Sequence, residues 1–371
     1  MRIGIMLRAY DRPGGIGIYS RNIVKHLLHI DKDNHYILIY NNKNHLGTYA
    51  DRKNVDEVFV PRTNPLIWDQ WLVPRITKKW GVDLIFHTKF TVPIIPKVKK
   101  VMALHGASWF VHPELYGKLD VLYVRTVMPI YCRQADFLIS NSELTTKDHI
   151  KILNVPKEKI ETVVLAAGDE FQPVRDTQVL EKIREKYELP DRFILTVTSY
   201  DPRKNFSTLL KAFEHCLKHV DVHLVVVGKD CNRYGTEFDL KSRGLERFVH
   251  FCGWVEQKDL PSIYSLALVF AFPSVYEEFG IPVVEAMSCG CPVVASNTGA
   301  IPELTKSAAL LSDPFDHQAL SENLLQVLLS NSLAEQYRRL GLEKANDFSW
   351  SRAAEQTLEI FRRVFSEEMD I

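Results

Sequence analysis

The chain has 371 residues, 46% of them hydrophobic and 25% charged, with zero net charge at pH 7. That length favours two domains over one, the apolar fraction is enough for sizeable cores, and no apolar run approaches the roughly 20 residues of a membrane-spanning helix. The zero balance is uneven: residues 1–165 carry 24 Lys+Arg against 15 Asp+Glu, a net of +9, and the remainder carries −9, an asymmetry that hints at two different partners.

In chain order, residues 2–7 (RIGIML) are a short apolar run read as a buried strand. A glycine-rich turn follows, then residues 18–30 (IYSRNIVKHLLHI), whose apolar positions recur at helical spacing. Residues 36–40, 55–60, 82–87, 100–105 and 135–142 read as further strands, with a helix predicted from Thr145 and the first half closing over 160–168. The second half repeats the alternation, with strands over 192–199, 222–228, 248–255, 268–274 and 292–296 and helices between them. Strands alternating with helices and short turns indicate a parallel sheet covered on both faces. Two such series predict two Rossmann-like domains, joined near 168–190 where DEFQPVRDT breaks the pattern. Ligands in such folds sit beyond the C-terminal ends of the strands, so the turns there are where chemistry is expected.

The six cysteines, Cys132, Cys216, Cys231, Cys252, Cys289 and Cys291, form no CxxC and no zinc-type spacing, which points to a reducing cytoplasmic setting. The apolar run at the N-terminus is too short for a signal peptide.

Three stretches carry candidate chemistry. GGIGIYS (14–20) leaves the first strand and opens the first helix, where bare backbone lets a phosphate or sugar approach the helix amides. Ser20 stands where the dinucleotide fingerprint needs a third glycine, so NAD is not expected. DPRKN (201–205) also lies between a strand and a helix, and sets Arg203, a fork for phosphate oxygens, beside Lys204, a mobile point charge. A plain tight turn and a solvated basic turn would account for these two motifs taken singly. YEEFGIPVVEAMSCGCPVVAS (276–296) packs a loop, a helix and a strand together. Pro282 suits the opening of a helix that starts around Ile281, Gly290 ends it, and PVVAS is the next strand. Glu277 and Glu278 therefore fall in the loop and Glu285 inside the helix, with free amides at the helix N-terminus between them. A hydroxyl-rich ligand carrying a diphosphate would use all of these features.

On these residues the sequence resembles the family 4 retaining glycosyltransferases of GT-B fold. The resemblance rests on Glu277-x7-Glu285 within PSVYEEFGIPVVEAMSCGCPVVAS, and on GGIGIYSRNIV, ALHG, ADFLISNSELTTKDHI, LAAGDEFQPV, PRKN, LVVVG, FCGWV, IPEL and FSW in the family's order. It implies an α/β chain of two Rossmann-like domains with a cleft between them. Residues 1–168 would be the acceptor side and 169–350 the donor side, and a helix over about 351–371 would cross back to the first domain. It also implies retaining transfer of a hexose from a nucleoside-diphosphate sugar to a glycan, lipid-linked or small-molecule acceptor in polysaccharide or glycoconjugate assembly. No cofactor, metal or nucleic acid is expected. Arg203 and Lys204 would hold the donor diphosphate, Glu285 the ribose hydroxyls and Glu277 the transferred sugar. Phe279, Gly280 and Ile281 would offer backbone to the donor, His105 would lie near the sugar, and Gly15 and Gly17 would line the cleft from the acceptor side. Gly106 and Glu278 depart from the family's usual acid and glycine, which bears on acceptor and sugar preference rather than on class. No carboxylate nucleophile is evident, so front-face attack assisted by the leaving phosphate is the family expectation. A GT-B epimerase or phosphorylase, or a silent subunit that binds nucleotide sugar, are the competing readings. Finally, WLVPRITKKW (71–80) and PIIPKVKKVMAL (93–104), with Lys78, Lys79, Lys99 and Lys100, predict that the first domain meets an anionic surface, either a lipid-linked acceptor or the inner face of a membrane in peripheral contact, against a soluble acceptor as the competing reading.

Overall fold

The structure is a computed structural model that describes residues 1–12, 14–95 and 98–366. The chain divides into two units, Met1–Leu165 with Ser349–Ile371, and Ala166–Phe348.

The first unit holds seven strands, β1 (Arg2–Met6), β2 (His35–Tyr40), β3 (Val55–Phe59), β4 (Leu84–His87), β5 (Lys99–Leu104), β6 (Phe137–Ser140) and β7 (Ile160–Thr162). They pair in parallel in the order β3-β2-β1-β4-β5-β6-β7. The inner strands are near-continuous apolar runs because helices cover both faces of such a sheet. Helix α1 (Gly15–Ile30) starts three residues before the predicted 18–30, since glycines carry no apolar period to betray the first turn. Beyond α2 (Lys118–Gln134), helix α3 (Glu143–Leu153) starts ahead of Thr145, because Ser142 is its cap and Thr145 completes a capping box with it.

The helix Trp350–Ser366 belongs to this first unit and packs on α1, burying Ala353, Ala354, Thr357, Phe361 and Val364 along one face. Phe361 meets Phe86 of β4 edge-on at 5.2 Å, Trp350 lies 6.0 Å from Tyr19, and Arg363 reaches Glu161 at 2.5 Å. Residues 367–371 of the predicted helix lie outside the described residues.

One expectation needs correction. Lys100 is only 7% exposed, and burial pushes its amino group below the usual lysine range. It sits in β5, a strand covered on both faces, so it is not part of a basic surface as predicted. Lys78 and Lys79 are exposed, whereas Pro96 and Lys97 of the same predicted stretch lie outside the described residues. No helix among the described residues is long and apolar enough to cross a membrane.

The second unit holds β8 (Phe193–Val197), β9 (His223–Val227), β10 (Val249–Gly253), β11 (Val269–Phe272), β12 (Val293–Ser296) and β13 (Ala309–Ser312). All are parallel, in the order β10-β9-β8-β11-β12-β13. β13 is not among the predicted strands; its parallel pairing with β12 is what makes it one. Helix α4 (Phe206–Cys216) lays Phe206, Leu209, Leu210 and Phe213 on a core with Ile194, Leu224 and Val226. In each sheet the strand order reverses at the first strand. β1 lies between β2 and β4, and β8 between β9 and β11. The crevices at the carboxyl ends of β1/β4 and β8/β11 are therefore the places where the fold leaves room for a ligand.

Candidate active site

The turn after β8 is rigid by construction. Asp201 caps the single turn Pro202–Lys204 by accepting the Arg203 amide at 2.9 Å, and it also accepts from Arg203 Nε at 3.2 Å and Nη2 at 2.9 Å. Asn205, in the left-handed region at φ 53°, closes the turn, and its Nδ2 donates to the carbonyls of Pro273 at 3.1 Å and Pro314 at 2.5 Å. The Val275 amide donates to the Arg203 carbonyl at 2.8 Å. The basic pair is thus stitched to the loop that follows β11.

That loop supplies the acids. Lys204 Nζ donates to Glu277 Oε1 at 2.6 Å and lies 4.9 Å from the centre of the Phe272 ring, while Arg203 Nη1 is 3.7 Å from Glu278 Oε2. Burial works against the Arg203 charge, but Asp201 and Glu278 outweigh it and raise the guanidinium pKa further. Burial likewise opposes the Asp201 carboxylate, yet Arg203 holds it below its ordinary range. Glu277 is pinned from behind, since the Ala300 amide donates to its carbonyl at 2.9 Å. Gly299, at φ +61°, passes so close that a Cβ there would stand 2.4 Å from the Glu277 carbonyl oxygen. Only glycine fits both that dihedral and that approach.

Helix α5 (Ile281–Ser288) carries Glu285, 4% exposed, whose Oε2 accepts from the Tyr264 hydroxyl at 3.0 Å. Burial raises its pKa to about 7, against the hydrogen bond from Tyr264 and with a further push from Glu170. The free amides predicted at the start of this helix are three. Among the described residues nothing accepts from the amides of Phe279, Gly280 or Ile281, Pro282 has none, and the Val283 amide turns back to the Gly280 carbonyl at 2.9 Å. The side chains of Phe279 and Ile281 are buried, Phe279 against Phe348 at 6.1 Å, so these residues offer only backbone. Ser274 Oγ, at the start of the same loop, is buried with no hydrogen-bond partner among the described residues.

Arg203, Lys204, Glu277 and Glu278 therefore form one cluster at the β8/β11 crevice. Glu285 stands apart from them, on Tyr264. Asp201 and Asn205 were legible inside DPRKN as residues that favour turns and caps. Tyr264, Ser274 and Gly299 carry no local signal, because their roles exist only once distant loops meet.

The remaining candidates lie in the first unit. His105 follows β5, and its Nε2–H donates to the Thr88 carbonyl at 2.8 Å, which leaves Nδ1 as an acceptor. Burial pushes its pKa down to about 4, so the ring is neutral at physiological pH. Tyr19 packs on it edge-on at 4.7 Å. Gly15 is exposed as the first residue of α1. Gly17 is buried, and a Cβ on it would stand 1.8 Å from the Arg12 carbonyl oxygen, so this glycine is required by its own preceding loop. Asp31, of the sequence Asp-Lys-Asp, is taken up by Tyr36 at 2.5 Å and Asn34 at 2.7 Å beneath the end of α1. Among the described residues no group of three or more His, Cys, Asp or Glu is arranged to hold a metal ion.

Comparison with known proteins agrees with this architecture. Residues 179–344 match the family model described as glycosyl transferases group 1. The chain is 29% identical over 368 residues to O-antigen chain mannosyltransferase B of Escherichia coli, covering 94% of this chain and 96% of that one. It is 30% identical over 304 residues to the MMP alpha-(1->4)-mannosyltransferase of Mycolicibacterium hassiacum, covering 77% of this chain and 69% of the relative. Among solved structures, the sucrose-phosphate synthase of Thermosynechococcus elongatus superposes with a TM-score of 0.79 at 22% identity, over 99% of both chains, a likeness that shows the GT-B fold. With a glycosyl-transferring relative at that identity and coverage, and the family model spanning the unit that carries the basic–acidic cluster, the chain belongs to the group 1 glycosyl transferases.

Proposed function

We propose that the chain is a retaining, metal-independent hexosyltransferase of the family 4 type, with Glu277-x7-Glu285 as its signature. Its second unit would bind a nucleoside-diphosphate sugar and its first an acceptor glycan or lipid-linked glycan. The observation that carries this reading is the cluster at the β8/β11 crevice, two cations held by acids that a diphosphate can displace. Glu277 neutralises Lys204. A donor diphosphate carries more charge than one carboxylate, so it takes over Lys204 and Arg203 and leaves Glu277 to accept hydrogen bonds from sugar hydroxyls. Glu285 accepts from the ribose hydroxyls, and the amides of Phe279, Gly280 and Ile281 meet phosphate and sugar oxygens.

As the glycosidic bond breaks, negative charge grows on the departing diphosphate and the sugar carbon becomes oxocarbenium-like. Arg203 and Lys204 stabilise that charge, the task a metal ion performs in other sites. The acceptor hydroxyl attacks on the face the diphosphate leaves and passes its proton to the leaving phosphate oxygen, which gives retention. His105, neutral with Nδ1 open, suits a hydroxyl donor. Mannose as the transferred sugar is supported by the names of the two relatives.

A panel of nucleoside-diphosphate hexoses, assayed for nucleoside diphosphate release with and without EDTA, tests the reading. The expected result is turnover of a mannose donor at the same rate in EDTA, with the product anomer matching the donor by NMR. Inversion, or activity lost in EDTA and restored by magnesium or manganese, would overturn the retaining or metal-independent part. Free sugar with free nucleotide would indicate an epimerase, and a need for inorganic phosphate would indicate a phosphorylase.

A further inference from the structure

The first unit has its own strand-order reversal, between β1 and β4, and it gathers more positive than negative charge. Met6 pairs with His87 across these parallel strands. Arg8 and Lys89 each come two residues later, so they leave the two neighbouring strand ends side by side. Arg8 has a partner: its Nε and Nη2 donate to the two carboxylate oxygens of Asp69 at 3.1 and 2.9 Å. Asp69 is 1% exposed, sits in the π-helical turn Trp68–Leu72, and also accepts from Thr91 Oγ1 at 2.8 Å. One buried carboxylate is therefore fully used. Among the described residues Lys89, Arg12 and Arg62 form no ion pair.

These cations feel one another. Burial and then the charges of Arg12 and Arg8 push the Lys89 amino group down to about 8. Burial and then Arg8 and Arg62 lower Arg12 as well. Like charges gathered at a strand-end crevice, against one saturated acid, are arranged for an anion that arrives from outside.

We propose that Arg12 and Lys89, with Arg8 fixed beside them by Asp69, bind a phosphate group carried by the acceptor. This rests on the transferase reading above and adds to it the chemical class of the acceptor. The surroundings favour a phosphate borne on a hydrocarbon chain. The segment that holds Asp69 also exposes Ile67 and Trp71, 48% and 61% accessible. Gln70 ties that segment to a loop with two more exposed aliphatics: it donates to the Val92 carbonyl at 2.9 Å and accepts from the Ile94 amide at 2.8 Å, and Ile94 and Ile95 are 42% and 74% accessible. Cations at two neighbouring strand ends, with exposed apolar side chains on the adjoining segments, match an amphiphile with a phosphate head.

The test uses the full chain and three probes in calorimetry: inorganic phosphate, decyl phosphate below its micelle concentration, and decyl glucoside as an uncharged control. The wild type is expected to bind decyl phosphate at least ~10-fold more tightly than decyl glucoside. Measured with nucleoside diphosphate present to fill the Arg203/Lys204 cluster, that preference should persist in the wild type and be abolished by Arg12→Ala with Lys89→Met. Removing mutually repelling charges should not lower the melting temperature, which separates lost binding from lost folding. Decyl phosphate bound more tightly than inorganic phosphate supports a lipid-borne source, and equal affinity for the two supports a soluble phosphorylated acceptor. Equal binding of decyl phosphate and decyl glucoside, or binding indifferent to Arg12 and Lys89, overturns the proposal. Nucleoside diphosphate binding, measured on the same Arg12/Lys89 variant, stays as in the wild type if the donor reading holds, so a failure here is distinguishable from a failure there.

Discussion

At the scale of single residues, the site combines groups whose charges are tuned by opposite means. Lys204 and Glu277 stabilise each other directly, with side chains 15% and 10% exposed. Lys204→Ala should therefore do two things: lower kcat/KM by ~10²–10³ through loss of a charge-stabilising donor, and lower stability by leaving Glu277 without its cation. Adding Glu277→Gln to Lys204→Ala should recover the melting temperature but not the activity, a cycle that separates the two contributions. If the single variant melts like the wild type, the pair is not a stability element. Glu285 behaves differently. Its folded-state pKa of about 7 lies above the ordinary 4.5, so the folded chain holds this proton more firmly than the unfolded chain. The stabilising form is the protonated one. Its contribution is fully present below about pH 4.5 and is lost as pH rises through about 7, amounting to about 3 kcal/mol across that window. Nucleoside diphosphate binding should run the other way and strengthen as the carboxylate forms. Glu285→Gln is expected to flatten both profiles, with its gain in melting temperature over the wild type larger at pH 8 than at pH 5. A gain that is the same at both pH values would contradict the assignment of the shift to this residue.

At the scale of elements, the site is positioned by turns and the first unit is closed by a helix from the far end of the chain. The turn after β8 is held by Asp201 at its start and Asn205 at its end, and the loop after β11 is clamped by Gly299 and Ala300. The Asn205 and Lys204 contacts span 68 to 109 residues and the Ala300–Glu277 contact about 23, and together they keep two cations and two acids in reach of one another. The helix Trp350–Ser366 buries Phe361 completely against Phe86. Phe361→Ala should cost about 3–5 kcal/mol of first-unit stability, through lost apolar contact and the cavity left behind. Its signature in denaturant is an early transition of the first unit, while nucleoside diphosphate binding to the second is unchanged at low denaturant. A single transition with binding lost in step would show that the two units do not unfold separately.

At the scale of the whole molecule, the +9 of residues 1–165 and the −9 of the rest remain the broadest statement about partners. We propose that the first unit meets an anionic membrane surface, with exposed Lys78 and Lys79 and the partly exposed Lys99 contributing about 1 kcal/mol each near that surface. In liposome flotation the chain should rise with anionic vesicles and not with neutral ones, more weakly in high salt and after replacement of those three lysines. No binding to anionic vesicles at low salt would leave the first unit's charge to a soluble acceptor. Much of the molecule was written in the sequence. Alternating apolar runs and helical periods predicted two parallel α/β series, because each strand of such a sheet is buried on both faces and each helix on one. The candidate motifs PRKN and YEEFG were legible because a strand's end, a turn and a helix's start leave local marks in residue type. What remained hidden depends on contacts between distant segments. The pairing of Lys204 with Glu277, the burial that lifts Glu285 to about 7, the close pass of Gly299 and the crowding of Arg8, Arg12 and Lys89 were decided only by tertiary structure. A carboxylate's charge or a lysine's pKa follows from what surrounds it in space, and residues 20 to 80 positions away along the chain supply those surroundings here.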